Sequence, residues 1–459
     1  MSAPADRRRI DRPVALRIAG PLLAALIGLL SAAGPVAAAV SFDTPSATAT
    51  FLKSIVFTQP YGGGTVASAS ILIQFPGDAG PSVSEVQAGS GTLAYTLDTS
   101  SGGVYPNTPI TAHFEVVLSD GTTQVGPDIH ITYVDDRYAW KVKVGKVARL
   151  HYVNASDSFA QSLLNWADGG IQKAAAFFGV TETAPIDFFI YGTQTSFQTA
   201  MGQADTVGGV ALPEIRSCYA LVTPGDTVYG QSVTVHEVTH IAFGDATTNP
   251  YHNPPRWLNE GLAVYMSDGY DAGNRRLVSQ AVRAGTLRSL FALSDFFPYD
   301  ATRIFLAYAE SVSAVDFMVR KYGQPAVSKL VQAYAKGATD DEAFKTGIGV
   351  DVAAFNTAWL AANGVTSTKY GPQPAPTGPL PPGWNGSNPA STANPGPTST
   401  GAAAATATPG STPAPGAASS TTADDQSAYS VAAMIALIGF ILLGVAGMLA
   451  ARSQNQALR

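Results

Sequence analysis

The chain has 459 residues, which allows about three domains of ordinary size. Charged residues make up 13% of it, and its 45 glycines and 31 prolines exclude one uniform globular domain. The net charge of −6 provides no basic surface and argues against nucleic-acid binding. A single cysteine, Cys218, excludes an intramolecular disulfide and a zinc site built from several cysteines. We expect Cys218 to be buried in a strand.

The N-terminus has the layout of a secretory signal peptide. Several arginines lie at positions 7–17, and the uncharged stretch 18–40 that follows contains Ala37-Ala38-Ala39. Small residues of this kind are what a signal peptidase requires before its cleavage site. We predict a signal peptide at 1–39. The alternative is an uncleaved anchor, although two Gly-Pro pairs would interrupt a continuous spanning helix.

Residues 40–135 have the pattern of a β domain. Apolar and polar residues alternate from Ile110 to Leu118 and again from Ile129 to Tyr133, and turn residues separate several such runs. Short strands at regular spacing favour a small β-sandwich, immunoglobulin-like in organisation.

From Trp140 onward, helical periodicity mixes with short strands, and after Ser232 the pattern is mostly helical to Asn363. The earlier part of this region is predicted to contain a helix ending near Gly179, strands at 186–191, 207–211 and 218–222, and a helix at 194–201. We therefore predict an α+β domain at 136–366, with a small sheet edged by antiparallel strands and a mostly helical C-terminal half.

The C-terminal part of the sequence predicts a membrane tether. Residues 367–428 are almost wholly Pro, Ala, Ser, Thr, Gly and Asn, a composition typical of a disordered stalk. The uncharged stretch 429–451 is long enough to cross a hydrocarbon core of about 30 Å. Arg452 begins a tail at 452–459 that the positive-inside rule places in the cytoplasm. We expect a single-pass cell-membrane protein with its N-terminal bulk outside the cell.

Two of the six histidines stand in His236-Glu237-Val238-Thr239-His240. Residues four apart lie on one face of a helix, so the two imidazoles can bind one Zn²⁺. Glu237 is about 100° further round the helix, close enough to act on a water at that metal.

A catalytic zinc needs a third protein ligand and an open position for water. The extended motif that ends in a third histidine is absent, but Glu260 follows in a second predicted helix, which begins after Pro254-Pro255. A helix–loop–helix that returns this carboxylate to the two histidines gives a His₂Glu site. Gly261 is predicted to allow that helix to approach a neighbour closely.

At these residues the sequence resembles the gluzincin metallopeptidases, and above all the bacterial peptidase MA-like group, by HEVTH followed by WLNEGLAVY. The resemblance covers about 140–366. It implies a zincin-like α+β fold with one zinc ion per chain. It also implies that His236, His240 and Glu260 are the zinc ligands and that Glu237 is the general base.

The sequence departs from related enzymes at two points. Val264 stands where thermolysin-like enzymes place an aspartate, so the resemblance supplies no partner for a ligand histidine. The Gly-x-Met-Glu-Asn segment of aminopeptidases related to aminopeptidase N is missing. Nothing else in the sequence anchors a free amino terminus, which favours an endopeptidase.

A donor to the scissile carbonyl oxygen is also expected. Tyr308 is the first candidate, because peptidase MA-like sequences look similar here, with a tyrosine followed by Glu-Ser in a helix. A tyrosine buried in the helix core is the other interpretation of Tyr308. His252 and Tyr265 are alternative donors.

These observations predict a membrane-tethered extracellular zinc metallopeptidase that cleaves peptide or protein substrates, more as an endopeptidase than as an aminopeptidase. The strand around 207–211 is a candidate for pairing with an extended substrate. The alternative is a cell-surface binding or adhesion protein whose second domain is a zinc-stabilised, non-catalytic scaffold. Zinc-dependent hydrolysis of a bond other than a peptide, and any oligomeric state, stay open.

Overall fold

The computed structural model describes residues 39–366, except 90, 183, 203–207, 252 and 298–300 and the side chains of 301–302. The predicted stalk, membrane helix and tail lie outside this part, as does the predicted signal peptide apart from its last residue. Among the helices that are described, none is both long enough and apolar enough to cross a bilayer.

The first part of the described chain consists of nine strands in two sheets. They are β1 (Ser41–Phe42), β2 (Ser46–Thr50), β3 (Ser54–Gly62), β4 (Val66–Gln74), β5 (Ser82–Val86), β6 (Thr92–Asp98), β7 (Thr108–Leu118), β8 (Thr123–Val125) and β9 (Ile129–Tyr133). In one sheet, β3 pairs antiparallel with β1, β2 and β6. In the other, the order is β5-β4-β7-β8, and β9 also pairs with β7.

Alternating burial shows why these residues form strands. Along β7 every second side chain is buried, from Thr108 to Leu118. The runs that the alternation predicted lie within β7 and β9. Apolar side chains of both sheets, among them Phe57 and Phe114, belong to one buried cluster, so the two sheets share a core.

The second part of the described chain combines a third sheet with helices. Its strands are β10 (Lys141–Val144), β11 (Ala148–Tyr152), β12 (Ile186–Tyr191), β13 (Gly209–Leu212) and β14 (Ser217–Leu221). The order is β10-β11-β12-β14-β13, in which β11, β12 and β14 are parallel and the two edge strands are antiparallel. Cys218 is buried in β14, as predicted.

The helices are α1 (Asp157–Phe178), α2 (Gln194–Met201), α3 (Thr227–Thr247), α4 (Arg256–Ser267), α5 (Ala272–Ala284), α6 (Ala301–Tyr322), α7 (Gln324–Tyr334), α8 (Asp340–Ile348) and α9 (Val352–Ala362). A sheet followed by a mostly helical C-terminal half is the α+β organisation predicted for this region. The helix ends follow local signals: Ser156 caps α1, and Gly179 ends it in the left-handed conformation at φ 72°.

Two glycines allow the helices around the site to pack closely. A Cβ atom on Gly261 of α4 would lie 2.6 Å from the carbonyl oxygen of Ser311 in α6, so the predicted close approach is confirmed. A Cβ atom on Gly170 of α1 would lie 3.0 Å from a methyl group of Val238 in α3. Glycine at position 261 therefore lets α4 pack closely on α6, and glycine at position 170 lets α1 pack closely on α3.

The third sheet is buried on both faces. Phe188 and Ile190 of β12 point into a core shared with the helices. Their neighbours Phe189 and Tyr191, together with Tyr219 of β14, belong instead to the cluster that fills the first two sheets. Strands covered on both faces are rich in apolar residues throughout, and Ile186–Tyr191, buried at every position, is apolar apart from Asp187.

Polar contacts also join the third sheet to the preceding strands. The hydroxyl of Tyr219 donates to the carbonyl oxygen of Pro106, and that of Tyr191 donates to Asp135 Oδ2 at 3.0 Å. Asn107 Nδ2 donates to Asp187 Oδ2 at 3.3 Å. Residues on both sides of the predicted domain boundary at 135/136 therefore belong to one buried core.

We expect the fragment 136–366 to be much less stable than the fragment 39–366. Removing the first strands exposes Phe189, Tyr191 and Tyr219, and burial of one such side chain contributes roughly 2–3 kcal/mol. The free energy of unfolding in urea should fall by at least about 5 kcal/mol, or the shorter fragment should be insoluble. Equal unfolding free energies for the two soluble fragments would contradict the shared core.

Candidate metal centre

Two helices bring three donor atoms to one point. His236 and His240 lie one turn apart on α3, and their Nε2 atoms are 3.1 Å from each other. Glu260 on α4 places Oε2 at 3.5 Å from Nε2 of His236 and 3.6 Å from that of His240. All three side chains are nearly or fully removed from solvent.

The three distances fit a tetrahedral zinc ion. With bonds of about 2.0–2.1 Å, such an ion holds its ligand atoms roughly 3.3 Å apart. Two imidazole nitrogens and one carboxylate oxygen at this spacing can therefore share one ion and leave a fourth position open. Within the described residues, His236, His240 and Glu260 form the one cluster able to hold a metal ion.

Asn259 orients one of the histidines. Its Oδ1 lies 2.8 Å from Nδ1 of His240, so the ring proton is on Nδ1 and the lone pair of Nε2 faces the cluster. Nδ1 of His236 is buried and has no hydrogen-bond partner in the described part of the chain. Val264, on the next turn of α4 after Glu260, has no acceptor to offer it.

The electrostatics of the cluster differ between its three ligands. Burial lowers the pKa of His236, but the carboxylates of Glu260 and Glu237 raise it above its ordinary value overall, so a metal ion must displace a proton there. Burial lowers the pKa of His240 to about 4 despite the nearby Glu260 carboxylate, so this ring is neutral at pH 7. Burial alone would raise the pKa of Glu260, but the nearby imidazole of His236 and the charge of Arg256 hold it below its ordinary value. A neutral imidazole and an ionised carboxylate are the forms that bind a metal.

Glu237 lies beside the cluster but points elsewhere. It is 2% exposed, and burial raises its pKa to about 8. A Cβ atom on Gly209 of β13 would lie 2.3 Å from Glu237 Oε1, so the carboxylate packs directly against this edge strand. Its Oε2 is buried without a hydrogen-bond partner among the described residues.

Tyr308 on α6 is brought to the same place. The centroid of its ring is 6.4 Å from that of His236 and 5.2 Å from that of Phe297. Burial, reinforced by the charge of Glu260, raises the pKa of Tyr308 well above its ordinary value, so its hydroxyl keeps its proton. Tyr265 instead packs against Phe177 of α1, with centroids 6.3 Å apart. His252 lies outside the described residues.

Three residues at the site were missed from the sequence. Asn259 and Arg256 could have been found, because they stand one and four positions before Glu260 on the same helix. Arg256 Nε lies 3.6 Å from Glu260 Oε1, and its guanidinium carbon lies 4.7 Å from the centre of the Phe297 ring. Gly209 carries no local signal, since its role depends on the tertiary approach of β13 to α3.

Comparison with known proteins gives one family match. The family model described as the Peptidase MA superfamily matches residues 166–363, which include α3, α4 and α6. The comparison with curated proteins found no relative of this chain.

Similarity to solved structures is weak. An M1 zinc metallopeptidase from Deinococcus radiodurans is 15% identical, with 75% of this chain and 97% of that chain covered at a TM-score of 0.32. OgpA from Akkermansia muciniphila is 18% identical, with 21% of this chain and 29% of that chain covered at a TM-score of 0.18. Scores this low establish no shared fold, so the assignment depends on the family match. Residues 166–363 thus match the Peptidase MA superfamily, and the chain contains a metallopeptidase, a hydrolase.

Proposed function

We propose that the protein is a zinc-dependent endopeptidase. The observation that carries this proposal is the convergence of Nε2 of His236, Nε2 of His240 and Oε2 of Glu260 within the reach of one ion, with the buried Glu237 directly after His236 on the same helix. The family match supports peptide hydrolysis.

Each residue of the site has a distinct task. A zinc ion held by the two histidines and Glu260 would supply Lewis-acid activation of a water and of the scissile carbonyl. Glu237, for which the described residues offer no ion-pair partner, accepts the proton of the attacking water and passes it to the leaving nitrogen. Tyr308 is the proposed donor to the carbonyl oxygen as negative charge develops there.

The edge strand β13 is the proposed guide for the substrate. It pairs with β14 on one side, and within the described residues no strand pairs with its other side, which is the proposed place for strand addition. An extended peptide added there would pass next to Gly209 and the Glu237 carboxylate. A strand edge binds the middle of a peptide as well as its ends, which supports internal cleavage.

A membrane-tethered, extracellular location is part of the proposal. It is supported by the sequence alone, through the signal-like residues 1–39, the Pro- and Thr-rich stretch 367–428 and the uncharged stretch 429–451 followed by Arg452. In this arrangement the peptidase domain acts on peptides or proteins outside the cell.

We expect His240→Ala and Glu260→Ala each to lose stoichiometric zinc, because each removes one of three protein ligands. Metal content of the purified protein, measured by mass spectrometry after dialysis, checks this. The matched control is His130→Ala, which removes an exposed histidine of β9 and should keep one zinc per chain. A Glu260→Ala variant with full zinc and full activity would show that the third ligand is wrong.

We expect Glu237→Gln to keep its zinc and lose turnover. The amide keeps the shape of the side chain but removes the base, and general acid–base catalysis is typically worth about 10²–10⁴-fold in rate. Peptide cleavage and zinc content should be measured on the same sample, with Glu85→Gln, an exposed position of β5, as the control. Equal cleavage by wild type and Glu237→Gln would refute the assignment, and so would loss of metal.

We expect Gly209→Ala to lower turnover by about 10-fold or more while zinc stays bound. The new methyl group would lie 2.3 Å from Glu237 Oε1, so it must push this carboxylate out of its position. Gly169→Ala on α1 is the control, since a Cβ atom there meets nothing within 4 Å. In that helix the change should be neutral or stabilising. Unchanged kcat in Gly209→Ala would mean that the contact has no influence on catalysis.

A further inference from the structure

Arg256 is a buried cation with little compensation among the described residues: the Tyr308 hydroxyl lies near its guanidinium, but its nitrogens make no hydrogen bond of good geometry. Its side chain is 10% exposed, yet none of its three guanidinium nitrogens has a hydrogen-bond partner in the part of the chain that the structure describes. Glu260 Oε1, at 3.6 Å from Nε, is near enough to form an ion pair but too far to accept a hydrogen bond. The contact with the Phe297 ring satisfies none of the N–H groups.

The position of Arg256 connects it with the metal centre. It lies one helical turn before Glu260, and its charge acts on His240, Glu260 and Tyr308. The other oxygen of Glu260 faces the two histidines. When Glu260 shares its negative charge with a metal ion, Arg256 loses most of its counter-charge.

A buried guanidinium without a counter-charge or hydrogen-bond acceptor destabilises the folded protein. A ligand that brings an acceptor would remove this cost. Its N–H groups form a planar fork that matches a carboxylate with two parallel hydrogen bonds. A zinc ion and Arg256 would together carry three positive charges, and Glu260 between them carries one negative charge. The site therefore favours a substrate that brings a carboxylate.

We propose that Arg256 binds a carboxylate of the substrate next to the scissile bond and so determines specificity. This inference rests on the peptidase function proposed above. The carboxylate has two sources: an Asp or Glu side chain of the substrate, which agrees with internal cleavage, or the free C-terminus, which would make the enzyme a carboxypeptidase and overturn the endopeptidase part of the proposed function. Arg256 is thus a substrate-binding residue as well as the neighbour of a metal ligand.

The test uses the zinc-loaded protein and peptides in matched pairs. In one pair an Asp beside the cleaved bond is replaced by Asn, and in the other a free C-terminus next to it is replaced by an amide. The wild type should favour the carboxylate-bearing member of one pair by about 10- to 100-fold in kcat/KM, the range of a charge-assisted hydrogen bond. Which pair shows the preference identifies the source of the carboxylate.

In Arg256→Gln the preference should fall towards 1, mainly through KM, and Arg256→Lys should retain part of it because the charge remains without the fork. Arg276→Gln, an exposed arginine of α5, is the matched control and should keep the full preference. Dissociation constants of the same peptides for Glu237→Gln, with and without Arg256→Gln, give a readout that does not depend on turnover. The ratio of dissociation constants within each peptide pair should fall on Arg256→Gln by the same factor as the kcat/KM preference.

Two results would overturn this role. One is a wild type that cleaves both members of each pair equally well. The other is an Arg256→Gln variant that loses zinc and slows on all peptides to the same extent, which would show that Arg256 acts by holding Glu260. A wild type that cleaves no peptide would instead refute the proposed function, and the binding measurements would still decide whether Arg256 recognises a carboxylate.

Discussion

Two carboxylates, Glu237 and Glu260, are buried beside the same pair of imidazoles, and the surrounding structure must hold them there. Each is at most 2% exposed, so water contributes little to their solvation. Glu260 is stabilised by His236 and Arg256, which keep its pKa low. Glu237 receives less compensation, and its pKa rises accordingly. The same burial thus yields one carboxylate suited to bind a metal and one suited to exchange a proton.

Close packing of four helices and one strand maintains this arrangement. Gly261 sets α4 directly against the backbone of α6, which carries Tyr308, and Gly170 sets α1 against α3. On the remaining side, Gly209 leaves room for the Glu237 carboxylate at the edge of the third sheet. A methyl group at Gly261 would push α4 and α6 apart, whereas one at Gly170 would press on Val238 and one at Gly209 would displace the Glu237 carboxylate, so these glycines help to set the distances within the site.

The sequence predicted the parts of the site that follow a helical period. The spacing of His236 and His240 fixes their common face, and the strands and helices from Gly179 to Met201 follow their local apolar patterns and caps. Contacts made between elements could not be predicted in this way. The approach of β13 to Glu237 and the stacking of Phe297 on Arg256 depend on tertiary packing that no local pattern encodes. Likewise, β12 reads as a mostly apolar run, which reveals burial on both faces but not what covers each face.

The N-terminal strands cover one face of the third sheet and so contribute to the structure of the peptidase region. Phe189, Tyr191 and Tyr219 lie on the opposite face of the sheet from the helices that carry the metal centre, and their rings pack into the core of the first two sheets. The strand β14, which contains Tyr219, also holds β13 in register through the pairs Gly209–Ala220 and Val210–Tyr219. Disturbing the N-terminal core would therefore shift β14, then β13, and with it the position of Gly209 against Glu237. The geometry of the proton-transfer group thus depends on the packing of strands that do not reach the site themselves.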